Sequence, residues 1–225
     1  MTWVAFGQAL PEAIGIAISP VPIVLVILML VSARARVNGP AFMAGWMAGV
    51  LFVAGAAFLL ADAADAGTDP DAADGVAVGK LVFGVLFFAL AYKQWKRRPK
   101  PGEDAPTPKL FAAVDTMGGA KAGGLGFVAC VANPKNLPLA ISAGAGMAQA
   151  GATGGEGLVA LLLFVVVASA TVAAPVVVYL ALGDRSADVL ASWKTWLVAN
   201  TATVMMVLFA VLGAKMIGDG LGLLG

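Results

Sequence analysis

Histidine is absent from this 225-residue sequence, and cysteine occurs once, as Cys130. Without histidine there is no imidazole metal ligand, no Ser-His-Asp triad and no Cys-His pair. A single cysteine excludes an intrachain disulfide, a CxxC redox pair and a thiolate zinc cluster. Charge is scarce too: Asp, Glu, Lys and Arg make up 12% of the residues, where a soluble domain carries about a quarter. Lys+Arg number 14 and Asp+Glu 13, so no basic excess is present to hold nucleic acid. What fills the chain is apolar: 60% of residues are hydrophobic and the mean hydropathy is +0.93. The class left is an all-α polytopic membrane protein.

A membrane-spanning helix needs about 20 mostly apolar residues, because about 30 Å of hydrocarbon is crossed at about 1.5 Å per residue. Six stretches meet this, near 9–32, 41–61, 75–95, 122–147, 156–182 and 197–217. The fourth is the most polar, with Asn133, Lys135, Asn136 and two prolines. The start has no basic n-region and its apolar run outlasts a signal-peptide core, so the first span is expected to be retained.

Basic residues stay on the cytoplasmic side. The loops after spans 1, 3 and 5 hold 11 of the 14, from Arg34 and Arg36 through Lys93–Lys121 to Arg185 and Lys194. The loop after span 2 has five aspartates and no base. Six spans with both termini outside satisfy this alternation, in the inner (plasma) membrane. Trp46, Tyr92, Trp95, Tyr179, Trp193 and Trp196 fall near the inner ends, where aromatic anchors belong.

The division expected is a first three-helix repeat at 1–95, a basic cytoplasmic linker at 96–121 and a second three-helix repeat at 122–225. Within the linker, Pro106–Met117 reads either as a short surface helix, with Thr107 as N-cap and Pro108 at N1, or as a disordered connection. The repeat is carried by two proline motifs. Span 1 has Ile18-Ser19-Pro20-Val21-Pro22-Ile23, and span 4 has Asn133-Pro134-Lys135-Asn136-Leu137-Pro138. Pro20 and Pro134 lie 114 residues apart, and that offset carries spans 2 and 3 onto spans 5 and 6. An odd number of spans per copy forces the copies into opposite orientations. The result is an inverted 3+3 repeat, an arrangement of many secondary transporters.

Both motifs lie deep, each proline about 15–16 Å into its span. A helix-interior proline removes one donor and releases the carbonyl four residues back. The carbonyls concerned are those of Ile16 and Ile18, and of Cys130 and Pro134. Unpaired backbone at that depth is tolerated where protein packs on it or where it lines a polar cavity, and Asn133, Lys135 and Asn136 favour the cavity. Helices 1 and 4 are therefore expected to be broken. A lysine near the helix centre costs about 2.5–3.5 kcal/mol on insertion scales, which marks Lys135 as functional, or else as a lock that pairs with freed carbonyls. Its natural partner is Glu12, the one acid well inside a span, which is also the one plausible buried proton carrier.

Other features carry less. Lys80 and Lys215 lie near outer ends and read as snorkelling, and Pro175 reads as a kink. Gly45 and Gly49 form a GxxxG pattern that reads as close helix packing, and Gly123, Gly124 and Gly126 follow no strand and are no nucleotide loop.

Two inverted triplets with a proline motif in the first helix of each resemble the lysine-exporter superfamily. The Asn133-Pro134-Lys135 run is like the Asn-Pro-Lys of its amino-acid exporters. The basic central loop and the pair of motifs look closer to its GAP branch, which includes sulfolipid- and peptidoglycolipid-addressing proteins. The resemblance implies export of an envelope lipid or glycolipid, or flipping of a lipid-linked anionic precursor. The polar head would lie on Asn133, Lys135 and Asn136, beside Ser19, Pro20, Pro22, Pro134 and Pro138, with the tails leaving into the bilayer.

Two alternatives stand beside this. One is an exporter of a small amino acid or similar solute. The other is a non-transporting assembly factor of an envelope-synthesis complex, docked through its basic loop. A homodimer or such an envelope partner fits either picture. An enzyme is not expected, since no acid/base cluster or metal centre is present in the sequence, and no cofactor is called for.

Overall fold

The computed structural model describes residues 1–64, 71–98 and 117–224. Among them the structure is helical throughout, with eight α-helices: α1 Thr2–Ala17, α2 Pro20–Leu30, α3 Ala35–Ala64, α4 Asp71–Lys96, α5 Gly119–Val131, α6 Asn136–Gln149, α7 Gly154–Leu182 and α8 Ser186–Leu224. The expectation for Pro106–Met117 lies outside the described residues, apart from Met117 at their edge.

Four helices are long and apolar enough to cross a membrane: α3, α4, α7 and α8. A fifth crossing follows if α1 and α2, bent by 59° at their break, count as one span. Helix α5, with 13 residues, and α6, with 14, are each too short to cross alone. Large apolar side chains stand exposed along the long helices, among them Leu59, Leu60, Val85, Val166, Leu180 and Val211. An aqueous surface offers no reason for that, and a lipid one does. The chain is a membrane protein.

The breaks show what the prolines do locally. Pro20 and Pro22 occupy the first and third positions of α2, where a missing N–H has no intrahelical partner to lose. They start a helix rather than interrupt one. Ser19 leaves the helical region at φ −128°, ψ 83° and makes the bend. At the second break Asn133 turns the chain: its carbonyl accepts from the Asn136 and Leu137 amides at 3.0 and 3.2 Å, and its Oδ1 accepts from the Lys135 amide at 3.0 Å. Pro134 lies in this turn and Pro138 is the third residue of α6. The separation of 114 residues between Pro20 and Pro134 also carries Ala17, the last residue of α1, onto Val131, the last of α5.

By contacts the chain falls into two units, Met1–Ala66 with Thr107–Leu197, and Gly67–Pro106 with Val198–Gly225. In the first, α1 packs on α6 and α7, and α3 on α5, α6 and α7. Helices α1 and α7 run parallel, with the Met1 amino group 3.5 Å from Glu156 at one end and Ala17 bonded to Thr171 further along. Helix α3 runs parallel to α5 and then α6, and antiparallel to α7, where Phe58 meets Gly157 and Gly55 faces Leu161.

Glycine makes the α3 seam possible. A Cβ at Gly45 would fall on the Gly123 carbonyl, one at Gly126 on that of Phe42, and one at Gly144 on that of Ala54. The GxxxG pattern is thus a packing surface within the chain, and Gly123 and Gly126 are its other side. Trp46 belongs to this seam. It is fully buried, with its backbone amide against Gly126, and so is no interfacial anchor, because the small residues of α5 admit it to the core. Tyr92, Trp95, Trp193 and Trp196 are exposed.

In the second unit α4 runs antiparallel to the part of α8 that begins at Val198. Phe87 stacks on Phe209 with centroids 5.7 Å apart, and Gly84 lies against Gly213 and Ile217. Lys215, read as snorkelling, bonds Asp219 one turn along at 2.6 Å.

Candidate functional site

The two breaks meet. Helix α1 ends with carbonyls that receive no amide from four residues on, and each of the four from Gly15 to Ile18 finds another donor. The Ile16 carbonyl accepts from Ser19 Oγ at 2.7 Å. That of Ala17 accepts from the Ser19 amide at 2.8 Å and from Thr171 Oγ1 of α7. Those of Gly15 and Ile18 accept from Lys135 Nζ at 2.5 and 3.0 Å. The third Lys135 donor goes to Ser19 Oγ at 3.0 Å. Of the carbonyls expected to be released, Ile16 and Ile18 are accounted for here, and that of Cys130 accepts from the Asn133 amide at 3.3 Å.

Lys135 is 1% exposed and precedes the first residue of α6. A positive charge there is unfavourable for α6, whose N-terminus is the positive end of its dipole. Its stem carries the ammonium away to the C-terminal, negative end of α1, where a cation is stabilised. An ammonium has three N–H donors, and all three are used. The three Lys135 hydrogen bonds go to the break, to Gly15, Ile18 and Ser19. Glu12 itself is buried, at 3% exposure, three residues before Gly15 on α1. The break itself thus offers three oxygens at hydrogen-bonding distance to the ammonium.

The remaining residues singled out from sequence are distributed around this bolt. Ser19, Pro20, Pro22, Asn136 and Pro138 are buried, Asn133 is half-buried, and Pro134 is exposed. Asn136 is fully buried with its amide beside the Cys130 thiol, and neither its Oδ1 nor its Nδ2 meets an oxygen or nitrogen partner. The structure therefore brings Ser19, Lys135 and the first break together, places Asn136 on the far side of the second break, and leaves Pro134 at the surface. No group of histidine, cysteine, aspartate or glutamate suited to a metal occurs among the described residues.

Sequence reasoning missed Gly15 and Thr171. Gly15 acts through its carbonyl, which any residue would supply. Thr171 had a signal, since it is one of few hydroxyls in the apolar run of α7.

What such an arrangement offers is one buried lysine ammonium, held where the two breaks meet. Compared with known proteins, no curated sequence and no solved structure matches this chain. The profile of the sulfolipid-1-addressing proteins, SfLAP, matches residues 10–222, nearly the whole length and both breaks. The sulfolipid-addressing likeness drawn from the two proline motifs thus holds across the sequence, and the chain belongs to the sulfolipid-1-addressing protein family.

Proposed function

We propose that this protein exports or flips an envelope lipid with an anionic head, at a site between the broken helices 1 and 4. The observation that carries the reading is the buried Lys135 ammonium at the crossing of the two breaks. The family is named for addressing sulfolipid-1, and a sulfate ester is an anion that an ammonium recognises. Asn136, buried with hydrogen-bonding capacity to spare, supplies the further contacts a head group needs. The reading gives the protein no catalytic step.

We place it in the plasma membrane as six crossings, with α1–α2 as the first and α5–α6 as the fourth, and both termini outside. The parallel and antiparallel pairs described above agree with six alternating passages. They also support the inverted repeat. Exchanging spans 1, 2 and 3 with spans 4, 5 and 6 turns the α1–α7 packing into that of α3 with α5 and α6, and returns the α4–α8 pair to itself.

The test is flipping in proteoliposomes, read as the loss of fluorescence of head-labelled lipids on external quenching. Sulfated lipids and phospholipids with a net-anionic head, such as phosphatidylglycerol, are expected to flip faster than in protein-free vesicles, and zwitterionic ones such as phosphatidylcholine not. Lys135→Arg is expected to keep part of the rate, since charge survives while geometry changes. Equal rates for both lipid classes would remove the anion site.

One observation favours the assembly-factor reading: every donor of Lys135 is spent inside the protein. On that reading neither lipid class moves above the protein-free rate, and Lys135 serves stability alone.

A further inference from the structure

The oxygens around Lys135 Nζ share a property that the lipid reading does not use. Gly15 and Ile18 present carbonyls. Ser19 Oγ spends its only hydrogen on Ile16, so it too turns a lone pair toward the ammonium. Three lone-pair oxygens thus converge on one point at 2.5, 3.0 and 3.0 Å. That point lies at the negative end of the α1 dipole. None of these three oxygens belongs to a carboxylate, and neutral oxygens suit a single charge better than Ca2+ or Mg2+, which call for anionic ones. Oxygens of this kind, from an unwound backbone and the C-terminal end of a half-helix, are those that hold sodium in other broken-helix transporters.

We propose that the end of α1 is a monovalent-cation site whose resident cation is the chain's own Lys135 ammonium. The lysine is a tethered ion. It fills the position that a dissolved ion would otherwise take, so the folded protein draws no stability from sodium or potassium. This goes beyond the identity of the cargo, and it would hold for a transporter and an assembly factor alike.

Cutting the tether exposes the site. The full-length protein and its Lys135→Ala variant are purified in detergent, and thermal unfolding is followed at constant ionic strength in lithium, sodium, potassium, methylammonium or choline chloride. The unaltered protein is expected to unfold at one temperature in all five. Lys135→Ala is expected to unfold several degrees lower in choline. Lithium, sodium, potassium or methylammonium should then raise it, with a dependence on concentration that saturates as a binding site does. Ser19→Ala added to Lys135→Ala removes one of the three oxygens and is expected to weaken that rescue.

Identical unfolding of Lys135→Ala in all five salts would overturn the proposal, as would a cation-specific shift of equal size in the unaltered protein. So would a Lys135→Ala protein that cannot be recovered in any of the salts while Lys135→Gln, which keeps two N–H donors, can, because a site open to ions would accept one supplied during purification.

Discussion

At the scale of single residues, the junction turns on which donors can be replaced. Lys135→Met keeps the stem and strands the Gly15 and Ile18 carbonyls, each at about 1–3 kcal/mol for a buried acceptor left unpaired. A marked fall in melting temperature in detergent is expected for this variant. Adding Glu12→Gln is not expected to recover it, since all three ammonium donors go to the break. Thr171→Val should cost less, about 0.5–1.5 kcal/mol, because the Ala17 carbonyl retains the Ser19 amide. If the threonine variant proves the weaker of the two, the division of work among these donors is wrong. Much of this site was legible in sequence. A lysine in an apolar span is expensive, and prolines announce released carbonyls, so Lys135, Ile16 and Ile18 could be named. The Gly15 carbonyl could not, because no proline follows it by four residues and it looks like every other peptide group.

Among the helices, the closest approach is that of α3 to α5 and α6, and it depends on glycine at particular turns. Gly126→Ala and Gly144→Ala would drive a methyl group into the backbone carbonyls of Phe42 and Ala54, which cannot swing aside as a side chain does. Both variants are expected to be poorly expressed or to melt well below the parent protein. Gly124→Ala and Gly146→Ala are the controls: a Cβ there meets nothing within 4 Å. They should be neutral, or stabilising by up to about 1 kcal/mol, since alanine is the better helix former. Should all four behave alike, the seam is not what holds α3. The sequence offered Gly45 and Gly49 as a packing pattern but could not name the opposite wall, because glycine is so frequent here, with 28 in the chain. The same wall explains Trp46. An indole near a span end suggests an interface, and only the small residues across from it reveal a buried position.

For the molecule as a whole, the proposed orientation rests on where lysine and arginine collect. With Cys130 replaced by alanine, a cysteine at the exposed Thr153 should react with an impermeant maleimide added to intact cells. One at Arg98 should react only after the membrane is opened. The opposite pattern would invert every crossing. The length and apolarity of α3, α4, α7 and α8 were readable from sequence alone, since each is a sum over many residues. The fourth expected span was harder to read, because the structure divides it into α5 and α6, each too short to cross alone.

The bolt also fixes an order of events during synthesis. Lys135 is 120 residues downstream of the Gly15 carbonyl it must reach. At about 5–20 residues per second, the ribosome delivers it roughly 6–24 s after that carbonyl has been made. Throughout that interval the end of α1 has no ammonium to receive. The amino-terminal half therefore cannot complete this junction until residue 135 has been made, and slow decoding between the halves would lengthen that wait.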